Sequence, residues 1–158
     1  MKTYLPTYKK CFCCGEHNIC GLRAHFYIVH NKVCAETLID EKHCGFKGVA
    51  HGGVLATLLD EALGWSTTII TKKMTVTGEL NLRYLRSVSP GEKIKVITVM
   101  KEQNRKYCIA EGEIINSKGE VCVKGSGKFF PVPDIMQKNV EEYLDYSRGE
   151  KKIFDYLD

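Results

Sequence analysis

The chain lacks any apolar run near the roughly 18 residues that a membrane-spanning helix needs, so no helical membrane anchor is expected within it. Prolines number only four, and neither an internal repeat nor a low-complexity stretch appears, which excludes collagen-like, disordered and coiled-coil readings of the whole. Its eight cysteines amount to about 5% of the residues, below the roughly 8–10% of disulfide-built scaffolds. The stretch from Met1 to Lys10 has no apolar core, so no secretory signal is expected there. Reduced thiols in the cytoplasm are the corresponding expectation. Charge of one sign is also scarce: the net +4 is too weak to point to nucleic acid.

What is present is globular. Hydrophobic residues make up 44% and charged residues 27% of the 158, enough for one domain with a full core spanning 1–158. Between Lys72 and Lys106, nine lysines and arginines face three acids, whereas from Asp134 to Asp158 four face seven. The basic middle suits a phosphate-bearing small ligand as well as it suits a solvated face.

Hydrophobic periodicity divides the chain into a Cys- and Gly-bearing loop, a hairpin, an apolar helix and a run of strands. Leu22 to Val29 alternates and pairs across His30-Asn31-Lys32 with Val33 to Ile39. Val54 to Trp65 holds good helix formers and is apolar nearly all round, which predicts a buried helix. Only Thr57, Asp60, Glu61 and Gly64 break that surface, in a thin stripe at i, i+3, i+4, i+7. Strands are then expected over Glu79–Leu85, Lys93–Met100, Tyr107–Ile115 and Val121–Phe130. The turns at Ser89-Pro90-Gly91-Glu92 and Asn116-Ser117-Lys118-Gly119 imply an antiparallel meander. A tail from about Asp134 to Asp158, with Met136, Val140, Tyr143 and Leu144 at helical spacing, reads as a surface helix. An α+β fold follows, one antiparallel sheet wrapped round one buried helix.

The chemistry concentrates at His51-Gly52-Gly53 and the helix it opens. Two glycines let the backbone approach a ligand, and the first helical N–H groups point outward with the positive end of the dipole. A carbonyl oxygen placed there would be polarised. Asp60, about two and a half turns further on, is a carboxylate on an otherwise apolar helix and so a candidate base or nucleophile. Glu61 points about 100° away from Asp60, which predicts a surface or interface ion pair for it instead. Cys11 and Cys14 have metal-ligand spacing and His17 and Cys20 lie close by. All four crowd into ten residues with no second pair, so idle thiols and no metal are expected.

The segment Gly48-Val49-Ala50-His51-Gly52-Gly53-Val54-Leu55-Ala56-Thr57-Leu58-Leu59-Asp60-Glu61-Ala62 resembles the signature of hotdog-fold acyl-CoA thioesterases of the PaaI-like group, in which an acid follows the histidine by nine residues. Cys11-Phe12-Cys13-Cys14-Gly15, the Glu79–Leu85 strand and Gly125-Ser126-Gly127-Lys128-Phe129 extend the resemblance over about 11–131. It implies a hotdog fold and hydrolysis of an acyl thioester. Gly52 would donate its N–H to the thioester carbonyl, His51 would orient the loop or the thioester, Asp60 would activate water or attack, and Thr77 would help hold the water. Gly53 and Thr57 would contact the substrate, with the acyl group near Trp65. Arg83, Arg86 or Lys93 would take the phosphates of CoA, which enters as substrate rather than as a cofactor. The site would join two subunits of a homodimer or homotetramer, and no nucleic-acid or membrane partner is implied. One departure is Gly45, where some members carry an asparagine. Two alternatives stay open: an acyl-thioester dehydratase on the same fold, and a non-catalytic acyl-CoA-binding or metal-sensing module.

Overall fold

The computed structural model describes residues 2–148 and residue 150. Two short strands, β1 (Thr3–Tyr4) and β2 (Thr7–Tyr8), precede the cysteine-rich loop. The alternating segment forms the hairpin β3 (His25–Val29) and β4 (Lys32–Leu38). His30 and Asn31 close it at φ 48° and 58°, the left-handed pair that a two-residue turn demands. A 3-10 turn at Glu41–His43 and a small pair, β5 (Cys44–Phe46) and β6 (Val49–Ala50), lead into helix α1 (Gly52–Thr71). Strands β7 (Thr75–Tyr84), β8 (Lys93–Gln103), β9 (Cys108–Ile115) and β10 (Val121–Pro131) follow, then α2 (Asp134–Glu142) and β11 (Leu144–Asp145).

Seven strands form one antiparallel sheet in the order β1-β3-β4-β8-β9-β10-β7, and α1 packs across β4, β8, β9, β10 and β7. Leu58, Leu59, Ala62 and Leu63 of α1 are fully buried against Phe26, Val96, Ala110, Ile114, Val123 and Phe129. Burying each such leucine stabilises by about 1.5–3 kcal/mol, which is why a helix apolar all round belongs inside a curled sheet. The expected α+β hotdog arrangement is therefore borne out.

The expected simple meander is not. Strands β8, β9 and β10 follow one another, but β7 pairs with β10 at the far edge rather than with β8. Residues 85–92 are a crossover, not a hairpin turn. Leu85 and Arg86 both donate to the Cys122 carbonyl before the chain leaves that edge, and Val88, fully buried, accepts from Ala50 N–H on the way.

Helix α1 also runs six residues beyond Trp65. The run Ser66-Thr67-Thr68 has poor helix propensity, yet it is buried, and the Ser66 and Thr67 hydroxyls are hydrogen-bonded. Ser66 Oγ lies 2.6 Å from Thr98 Oγ1, which donates to Ala62 O at 2.8 Å. Thr67 Oγ1 donates back to Gly64 O at 2.8 Å. Lys72, at φ 58°, ends the helix in a left-handed cap.

In the tail, α2 stops at Glu142, and Leu144 belongs instead to β11, paired with Tyr8 of β2. Met136 and Tyr143 are largely exposed. The attachment is polar: Gln137 accepts from Met74 N–H at 2.8 Å and donates to Val132 O at 3.1 Å. Residues 151–158 of the expected tail lie outside the described residues. Among those described, no helix is long and apolar enough to cross a membrane.

Candidate functional site

At the start of α1, His51 is the N-cap. Its Nδ1 accepts from Gly53 N–H at 2.9 Å, so a neutral ring carries its proton on Nε2. The ring folds so closely over Gly53 that a Cβ there would lie 2.9 Å from Nδ1. Gly52 is different. Its N–H makes no hydrogen bond among the described residues, while its carbonyl accepts from the Tyr84 hydroxyl at 2.8 Å. The helix thus begins with one N–H spent on the cap and one left for a ligand. Thr57, one turn on, donates its hydroxyl to Gly53 O.

Asp60 sits half-buried on the same helix, and Thr77 Oγ1 donates to its Oδ1 at 2.8 Å. Burial raises the Asp60 pKa above the usual carboxylate value, and the Thr77 hydrogen bond partly offsets that. Thr77 reaches Asp60 because of an irregularity in β7. The β7–β10 register shifts between Lys128 and Phe129, leaving Gly78 unpaired, so Thr75 and Thr77 face the helix on one side of it while Leu80 and Leu82 do so on the other. A cavity of about 290 Å³ opens here, lined among others by Asp60, Thr77, Trp65, Met74 and Phe129. Trp65 is thus placed beside Asp60.

Glu61 departs from expectation. It lies off the surface and makes no ion pair among the described residues, but turns toward the cysteine-rich loop, where its Oε2 lies 3.3 Å from Cys11 Sγ. Both acids line the same cavity, which extends from β7 to Tyr8 of β2. Burial, then the charge on Cys11, pushes the Glu61 pKa up to about 8. Cys11 is held down at about 5 by the Cys14 thiol, against burial, with help from the backbone N–H groups of Cys14 and Cys13. Cys14 rises correspondingly, through its hydrogen bond to Cys11 and its burial. His17 and Cys20 are not part of this cluster.

The expected phosphate-binding residues lie apart from Asp60. Arg83 opens on a separate groove of about 590 Å³ with Lys32, Lys101 and Lys124. Arg86 is engaged with Glu120 and donates to Val121 O at 2.8 Å. Lys93 pairs with Glu36 at 3.2 Å.

The chain is similar to known proteins. The family model described as thioesterase superfamily matches residues 47–123. An uncharacterized protein of Schizosaccharomyces pombe is 31% identical over 106 residues, 64% of this chain and 59% of that protein. A Pseudomonas aeruginosa protein whose name marks it as a candidate esterase is 31% identical over 97 residues, 60% of this chain and 71% of that protein. The chain belongs to the thioesterase superfamily. Two solved structures show the same fold. The PaaI protein of Escherichia coli, 16% identical, aligns with a TM-score of 0.65 over 71% of this chain and 81% of that one. A hypothetical thioesterase of Streptococcus pneumoniae with coenzyme A, 24% identical, aligns at 0.59 over 64% and 78%.

Within this superfamily member, Tyr84, which the sequence reading did not single out, and Gly45 shape the His-Gly-Gly turn. Tyr84 anchors Gly52 from the opposite strand; its alternation with Leu80 and Leu82 was the available signal. Gly45, the departure from the resembling pattern, lies under the His51 ring, where a Cβ would sit 3.0 Å from Cδ2. An asparagine there would displace the histidine from the pose it holds here.

Proposed function

We propose that the protein is an acyl-CoA thioesterase, cleaving an acyl thioester to the free acid and CoA. The observation that carries this is Asp60, held by Thr77 and lining a cavity with Trp65 and Phe129, on a helix whose first N–H, at Gly52, is unspent among the described residues. The coenzyme A present with the Streptococcus pneumoniae thioesterase supports CoA as the carrier. Asp60 takes the proton of an attacking water, or attacks the carbonyl carbon itself to give an anhydride that water then opens. The carbonyl oxygen gathers negative charge facing Gly52 N–H, and the carbon–sulfur bond breaks to release the CoA thiolate, which takes the proton held on Asp60 in the first route or one from solvent in the second. No metal or redox cofactor enters these steps.

The two ends of this machinery cannot meet within one chain. Eight residues of helix separate Gly52 from Asp60, a rise of about 12 Å, whereas each must lie about 3 Å from the reacting group. A second copy supplying the other end resolves this, and β7, an edge strand with a free side, offers a pairing surface. The reading is therefore a cytoplasmic homodimer, or a tetramer of such pairs; all eight cysteines are free thiols, as that compartment favours.

The test is a panel of thioesters from short aliphatic to aryl acyl-CoA, followed by release of free thiol. Turnover of at least one is expected. Tight binding with no turnover would make the protein a binding module, and interconversion of hydroxyacyl and enoyl thioesters without CoA release would make it a dehydratase.

A further inference from the structure

We propose that Cys11, Cys14 and Glu61 form a binding site for a divalent metal ion of the zinc type, which ties the N-terminal loop to α1. The site is independent of the thioesterase reading. One donor atom from each residue lies within 4.8 Å of the other two, although Cys11 and Glu61 are fifty residues apart. Tetrahedral zinc, with Zn–S near 2.3 Å and Zn–O near 2.0 Å, would set donor spacings of about 3.5–3.8 Å. The cluster reaches those with shifts of about an ångström.

Three further features of the loop point the same way. Glu61 Oε1 is shielded from solvent and has no hydrogen-bond partner among the described residues. Such an oxygen is costly unless something satisfies it, and a metal ion would. The sulfurs already hold the backbone donors that thiolate ligands recruit: Cys13 and Cys14 N–H reach Cys11 Sγ at 3.2 and 3.4 Å, and Tyr8 N–H reaches Cys14 Sγ at 3.5 Å. Gly15 lets the loop wind this tightly, because a Cβ there would stand 2.5 Å from Cys11 O and 2.7 Å from Lys9 O.

Two thiolates and a carboxylate favour zinc over magnesium or calcium, which prefer oxygen alone. Three protein ligands leave a fourth position for water, and Glu61 and Tyr8 both border the cavity that would supply it. The expectation of idle thiols considered only ligands within the loop; the missing ligand comes from the helix.

The experiment loads the full-length, fully reduced protein, stripped with chelator, with cobalt(II) as a spectroscopic stand-in and then displaces it with zinc. One cobalt per chain should bind, with thiolate-to-metal charge transfer and the d–d bands of tetrahedral geometry. Zinc should abolish both and raise the melting temperature. Glu61→Gln should weaken cobalt binding at least about 100-fold, more than loss of an outer-shell partner does. Cys20→Ser and His17→Ala should leave it unchanged. Absence of a thiolate–cobalt band in the reduced wild-type protein would overturn the proposal without recourse to any variant. So would a band that survives Glu61→Gln but disappears in Cys20→Ser or His17→Ala.

Discussion

Asp60 and Glu61 are neighbours with opposite surroundings. Both line the cavity, but Asp60 meets a hydroxyl, whereas Glu61 meets two sulfurs and has an oxygen with no partner among the described residues. The proposed reaction accordingly rests on Asp60. Replacing it with asparagine keeps the shape and removes the base, so kcat should fall about 10²- to 10⁴-fold with KM little changed. Retention of more than about a tenth of kcat, at equal folded fraction, would remove Asp60 from the reaction. Thr77 should matter through Asp60. A hydrogen bond to a charged group is worth about 1.5–3 kcal/mol, so Thr77→Val should lower kcat about tenfold to 100-fold, and Thr77→Ser should restore it. A valine variant as fast as wild type, or a serine variant no better than valine, would leave the hydroxyl without a role. The position of Asp60 was legible in the sequence because a carboxylate on an apolar helix stands out. The surroundings of Glu61 were not, since its partner Cys11 arrives through the tertiary fold.

At the scale of elements, α1 and β7 carry the site. The start of α1 is built by a histidine cap, an unusual choice beside the common serine, threonine, aspartate or asparagine. Loss of a cap costs about 1 kcal/mol, so His51→Ala should lower stability by that amount and His51→Asp should recover most of it. Urea denaturation with an unchanged slope is the check, and an unaltered midpoint in the alanine variant would deny the cap its role. Most elements were readable from periodicity, because the helix is apolar throughout and the strands alternate. The end of α1 was not, since Ser66, Thr67 and Thr68 read as helix-poor until Thr98 and Thr75 occupy the hydroxyls of Ser66 and Thr67. The kink at Gly78 was hidden too: a one-residue shift in pairing leaves no trace in composition, yet it alone turns Thr77 toward Asp60. The partner of β7 was misread because a Pro-Gly turn signals a reversal but not which strand lies across from it.

For the whole molecule, the proposed reaction requires each site to be shared by two copies. Position 52 offers a clean way to separate the halves. It is the first helical residue, where proline is well tolerated, and His51 at φ −62°, ψ 131° already has the backbone that precedes a proline. A Cβ at 52 would meet only ordinary contacts with the Tyr84 ring, nearest at 3.4 Å. Gly52→Pro should therefore fold normally while lacking the N–H that faces the carbonyl, and lose about 10²- to 10³-fold in kcat. The decisive measurement mixes this variant with Asp60→Asn, dissociates and reassociates the two, and confirms hybrid formation by native mass spectrometry. In a hybrid, one site combines the intact Gly52 of one chain with the intact Asp60 of the other, and random reassociation should restore about a quarter of wild-type activity from two nearly inactive parents. Hybrids that form in full yet show no more activity than the parents would contradict the account.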